Sequence, residues 1–182
     1  MGTSANGKQV FLPNLFMSAA ASLLLLIGFG FLLRAAFTTD GTEHSLATAA
    51  EMQKVVLSDS SYVWLNRNSR LTWTDFEGDS REVTLDGEAF FEVTRRPEQP
   101  FRITGGKSVT EVLGTSFRLK TEKGQPDVLE VVTGKVAFTP TAKPENRKEF
   151  LPGQKGEIGE NGVVVPSQST DPNALAWKKR EL

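Results

Sequence analysis

The chain has 182 residues, a net charge of -1, no cysteine and a single histidine. Its length suits one ordinary domain with accessories. The missing cysteines exclude disulfides, thiol catalysis and thiolate-bound metals. One histidine, His44, in a polar stretch offers no converging ligand set for zinc, and the balanced charge offers no general attraction to nucleic acid.

Lys8 and Arg34 bracket an uncharged run, and within it Leu15 to Leu33 (LFMSAAASLLLLIGFGFLL) is almost wholly apolar. A helix rises about 1.5 Å per residue, so about 20 residues cross the roughly 30 Å hydrocarbon layer. The run predicts a transmembrane helix over 15–37, with Arg34 reaching back to the interface. A cleaved signal peptide has an apolar core of about 7 to 15 residues, soon followed by a small-x-small site. This core is longer, and the best such site, Ala47-Thr48-Ala49, lies far beyond Leu33. Lys8 on one side and Arg34 on the other leave orientation nearly tied under the positive-inside rule. Residues 1–14 form a short tail, too short to bury a core of their own.

Residues 38–51 are small and polar and read as a linker. From residue 52 to about 160 the pattern changes to short apolar segments separated by turn residues. Val55 to Leu57 precede Ser58-Asp59-Ser60, Tyr62 to Leu65 precede Asn66-Arg67-Asn68, and Leu71 to Trp73 precede Gly78-Asp79. Further strands are predicted at Phe101 to Thr104, Val109 to Leu113, Val128 to Val132 and Lys135 to Phe138. The last two flank Thr133-Gly134, a tight-hairpin signal. The clearest alternation sets Val83, Leu85, Gly87, Ala89, Phe91 and Val93 on one face. Glu82, Thr84, Asp86, Glu88 and Glu92 fall on the other, with Phe90 the exception. Asp86-Gly87 is expected to bend the chain between two short strands. Turns at this spacing predict a mainly β domain, a short-strand sandwich or a β-solenoid-like stack. Pro140 to Glu149 reads as an exposed loop. Residues 161–182 read as a C-terminal linker, in which Ala174, Leu175, Ala176 and Trp177 are placed to start a short helix.

Six segments in order carry a family resemblance. They are VWLN (Val63 to Asn66), DGEAFFEV (Asp86 to Val93), PF (Pro100, Phe101), VLGTSF (Val112 to Phe117), GKV (Gly134 to Val136) and LPGQ (Leu151 to Gln154). Together they resemble the FecR domain over about residues 53 to 158. The motif positions are Trp64, Asn66, Gly87, Glu88, Phe90, Phe91, Gly114, Thr115, Phe117, Gly134, Pro152 and Gly153, all expected to be structural. The resemblance implies a single-pass inner-membrane regulator of a Gram-negative bacterium, with its N-terminus in the cytoplasm and its β-domain in the periplasm. It implies an extracytoplasmic-function sigma factor as partner on one side. On the other it implies a TonB-dependent outer-membrane transducer, often reporting iron-siderophore or glycan uptake. The family's sigma-binding helices occupy some tens of residues ahead of the membrane segment, where this sequence has Met1 to Asn14. The chain as given is therefore expected not to hold a sigma factor by itself. LAWKKREL (Leu175 to Leu182) resembles the junction into a further C-terminal domain, and Ser58-Asp59-Ser60-Ser61 replaces the family's Pro-Asp-Gly-Ser turn.

Asp86, Glu88 and Glu92 are carboxylates on one strand face, where an ordinary solvent-facing role outweighs acid-base catalysis. Trp64 and Trp73 would suit a sugar-stacking platform, but core packing is the expected role of both. The sequence has no phosphate-binding Gly-rich loop and no nucleophile-elbow serine, so neither an enzyme nor a cofactor is expected. Two functions of different class follow: a FecR-type signalling protein, and a membrane-tethered periplasmic module that binds envelope glycan without a role in transcription.

Overall fold

A computed structural model describes residues 27–29 and 42–169. The predicted tail 1–14 and helix 15–37 lie outside these residues, save for a helical turn at 27–29. Among the described residues no helix is long and apolar enough to cross a membrane.

Residues 42–169 form thirteen strands arranged as two leaves that share one strand. The first leaf runs β1 (Glu43–Ala47), β4 (Arg70–Thr74), the first half of β5 (Arg81–Glu92), β6 (Phe101–Gly105), β7 (Ser108–Val112), β10 (Val136–Pro140) and β11 (Lys148–Phe150). The second runs β2 (Gln53–Val56), β3 (Tyr62–Leu65), the second half of β5, β8 (Ser116–Thr121), β9 (Asp127–Thr133), β12 (Gln154–Ile158) and β13 (Val164–Gln168). Every pairing is antiparallel except β5 with β6. Parallel neighbours need a crossover, and here the chain makes it by travelling along the second half of β5 and returning through 93–100.

The alternation over β5 holds. Val83, Leu85, Ala89, Phe91 and Val93 are buried in a single core drawn from both leaves. Phe91 stacks on Phe117 of β8 at 5.2 Å and meets Phe101 of β6 edge-on at 6.2 Å, so aromatic packing ties the leaves together. In the far half of the core, the ring of Phe150 in β11 lies against Gly156 of β12, where a Cβ would fall 2.6 Å from it.

Four expectations are corrected. Asp86-Gly87 does not separate two strands: β5 is one strand of 12 residues that passes from leaf to leaf at Gly87. The linker 38–51 contains β1, paired to β4 so that Leu46 meets Leu71 at the core margin. The linker 161–182 contains β13, whose Val164 closes the core over Ile158. Thr133-Gly134 is not a hairpin, because β9 and β10 belong to different leaves and the turn, with Gly134 at φ +77°, carries the chain between them. Pro140 to Glu149 is exposed apart from Pro140 and Asn146, and it ends in a 3-10 turn (Pro144–Asn146) and the start of β11.

Candidate interaction surfaces

The turn Ser58 to Ser61 forms as expected, and the structure gives Asp59 a partner the sequence did not reveal. Asp59 and Arg81 are both fully buried and form an ion pair through Oδ2 and Nη1. Asp59 Oδ1 accepts from the Ser61 amide at 2.9 Å and Oδ2 from the Ser61 hydroxyl at 2.6 Å. Arg81 also donates from Nε to the Gln99 carbonyl at 2.8 Å and from Nη1 to that of Thr94 at 2.9 Å. Its guanidinium lies 5.2 Å from the centre of the Phe101 ring. These groups fasten the 93–100 crossover to the turn before β3. Nothing in the pattern around Asp79-Ser80-Arg81 announces a buried arginine.

A second buried carboxylate joins the leaves at their other end. Asp127 Oδ2 accepts from the Ser108 hydroxyl at 2.6 Å and the Lys107 amide at 2.7 Å. Burial pushes this carboxyl above the ordinary value, and the hydrogen bonds from Ser108 and Lys107 oppose the shift.

The motif positions divide into three groups. Phe91 and Phe117 are core. Gly87 at φ +112°, and Gly153 at φ +80° in the exposed Pro152-Gly153 turn, serve the backbone. The remainder gather on two surfaces.

The first is an open groove of about 410 Å³ beside β7 and β10. Gly114, Thr115 and Gly134 line it together with Arg95, Leu113 and Arg147. A Cβ on Gly114 would lie 2.5 Å from the Arg95 Cα, and one on Gly134 would lie 2.5 Å from the Thr115 Cγ2, so glycine is required at both. The Thr115 hydroxyl is buried without a hydrogen-bond partner among the described residues. Along the same outward face, Arg102 bridges Glu111 at 3.0 Å and Glu82 at 3.4 Å, and Arg147 approaches Glu111 at 3.7 Å.

The second is the outward face of the second leaf. Here the register sets Lys54, Trp64, Phe90, Arg118, Glu130 and Lys155 side by side across six strands, with Val63, Leu65, Ala89 and Phe91 facing the core. Trp64 and Phe90 meet edge-on at 5.9 Å, Tyr62 lies 5.9 Å from Trp64, and the Lys54 ammonium sits 4.9 Å over the indole. Asn66 donates to Glu88 Oε2 at 3.2 Å, and Arg118 donates to Glu88 Oε1 at 3.1 Å while its Nε lies 3.2 Å from Glu130. Glu88 is thus a held structural carboxylate. Trp64 is not core as expected but packs on the opposite face. Trp73, in the first leaf, lies partly buried against the core and stacks on His44 at 5.5 Å, so the two tryptophans share no platform. Among the described residues no three His, Asp or Glu side chains cluster as a metal site.

Residues 44–137, over half of the chain, match the family described as FecR protein. The chain belongs to the FecR family. Two crystal structures, each of a candidate anti-sigma factor from Parabacteroides distasonis, share its fold. One has 28% identity and a TM-score of 0.69, with 75% of this chain and 65% of that one covered. The other has 29% identity and a TM-score of 0.68, with 74% and 64% covered. This FecR chain therefore spans slightly less than two thirds of those structures. No protein of curated function matches it. The family match begins within β1, in keeping with the strand found where a linker was expected.

Proposed function

We propose that this FecR protein is a transmembrane signalling regulator of the anti-sigma type. The apolar run over 15–37 anchors it in the inner membrane, and the β-domain lies in the periplasm. That domain receives a signal from a TonB-dependent outer-membrane transducer by protein contact, and the regulator passes it to an extracytoplasmic-function sigma factor. The carrying observation is the family match over 44–137, joined by the likeness to two candidate anti-sigma factors. The reading assigns no catalysis and no cofactor. Glu88 is committed to Asn66 and Arg118. The groove beside Gly114 and Gly134 is the surface assigned to the transducer: it is open, and two motif glycines that admit no Cβ fix the close packing of its wall.

Topology gives the test. Alkaline phosphatase fused after Leu182 is expected to be active in cells, and β-galactosidase at the same position to be inactive. The reverse pattern would place the β-domain in the cytoplasm and remove the proposal.

A further inference from the structure

The groove beside β7 and β10 holds one cation more than its own carboxylates answer. Glu111 and Glu149 flank its floor at Ala137, which stands opposite both in the register. Each carboxylate is met: Arg102 and Arg147 reach Glu111 at 3.0 and 3.7 Å, and Lys135 reaches Glu149 at 3.0 Å. Arg95, the remaining charged residue of the lining, is exposed and has no ion pair or side-chain hydrogen bond among the described residues. Its place is fixed all the same. The Val93 amide donates to the Thr115 carbonyl at 2.9 Å and the Arg96 amide to that of Leu113 at 2.8 Å, so residues 93–96 are laced to 113–115. The stem of Arg95 crosses Gly114 so closely that a Cβ there would lie 2.5 Å from the Arg95 Cβ. Beside that crossing Thr115, another residue of the lining, is only 4% exposed, and its hydroxyl has no partner among the described residues. Native folds leave few such hydroxyls unpaired, because the group has given up water without a replacement.

We propose that this groove binds an acidic peptide segment of a protein partner. One carboxylate of the segment pairs with Arg95 and accepts the Thr115 hydroxyl, and an adjoining apolar side chain rests on Leu113 and Ala137. This contact rests on the groove being the transducer's surface, and it names the chemistry the transducer presents there. Charge selects the occupant. The lining sets Arg95, Lys135 and Arg147 against Glu111 and Glu149, so an added carboxylate balances it and a basic segment does not. A guanidinium and a hydroxyl side by side hold a carboxylate with charge-assisted hydrogen bonds. Leu113, 41% exposed, supplies the apolar contact that a free inorganic anion would leave bare.

The test uses the full chain in lipid nanodiscs. Binders are selected from a displayed library of random peptides, resynthesised and titrated. The expected binders carry Asp or Glu next to Leu, Val or Phe. Arg95→Gln, Thr115→Val, and replacement of the peptide acid by its amide are each expected to weaken binding by at least about tenfold. Arg95→Gln and the amide peptide are expected to be non-additive, since they remove the same contact. Neither protein variant is expected to lower the unfolding midpoint, because Arg95 is exposed and the Thr115 hydroxyl bonds nothing in the domain. No binders, binders without an acid, or binding indifferent to Arg95→Gln would overturn the proposal. So would a fall in the midpoint of Thr115→Val, which would give that hydroxyl a structural role. Displacement by inorganic phosphate, with no dependence on the apolar residue, would mark a simple anion site and count against it equally. Binding to the purified chain does not depend on its orientation. If the phosphatase and galactosidase fusions reverse while acidic peptides still bind through Arg95, the transducer is lost and the site stands. If the fusions behave as expected while Arg95→Gln binds every peptide as the parent does, the site is lost and the regulator stands.

Discussion

Three buried ionisable groups, the Arg81–Asp59 pair and Asp127, set the behaviour at the scale of the residue. Arg81 and Asp59 have no exposed surface, so each charge depends on the other and on the hydrogen bonds around it. Removing one partner leaves the other buried and unpaired, which typically costs about 3 to 5 kcal/mol. Arg81→Met is predicted to lose that much in urea unfolding. The Arg81→Met, Asp59→Asn pair is predicted to lose clearly less than the sum of the two single variants, and additive losses would show that the groups act separately. Asp127 gives a pH signature. Burial raises its pKa in the folded state, so across the window just above the ordinary carboxylate value the folded chain holds a proton that the unfolded chain has released. The unfolded state then binds fewer protons, and stability from this group falls as pH rises through the window. Asp127→Asn removes that slope. Its unfolding free energy, relative to the parent, is predicted to rise as pH is taken upward from about 4, while a constant difference would contradict the assignment.

At the scale of the element, β5 organises the domain, and Gly87 is where it changes leaf. With φ at +112°, a Cβ there would lie 2.4 Å from the Ser69 Oγ and 2.8 Å from its Cα. That hydroxyl accepts from the Glu88 amide at 2.9 Å, so it cannot move aside without loss. Gly87→Ala is predicted to cost about 1 to 3 kcal/mol in thermal unfolding, and adding Ser69→Ala is predicted to recover only part, because the backbone strain remains. Full recovery would mean that the hydroxyl contact alone was at fault. The facing of β5 was legible in its alternation, because period 2 records which side of a strand is covered. Membership in two leaves was not, since the same period says nothing about which sheet does the covering. β1 and β13 are not legible for a related reason: an edge strand of five residues turns only two or three inward, too few to mark a pattern. A glycine at positive φ serves a hairpin and a leaf-to-leaf turn alike, so Gly134 by itself does not distinguish them. The one break in the alternation, Phe90, was a true signal of the second, outward-facing aromatic surface.

At the scale of the molecule, the described domain joins one core to two distinct outward surfaces. Two carboxylates buried at opposite ends fix the leaves, a held network of Asn66, Glu88, Arg118 and Glu130 stiffens one outward face, and a glycine-walled groove opens on the other leaf. On the proposed function, this framework would transmit a signal only through the partners it touches, and that is the central claim to be tested. The most direct measurement is the transcript profile of cells lacking the gene, compared with cells carrying it and with cells complemented by it. The regulon of a single extracytoplasmic-function sigma factor is predicted to change as a block and to be restored by the complete gene but not by its Arg81→Met form. A profile unchanged by the deletion, or one altered with no sigma regulon moving as a unit, would contradict the account.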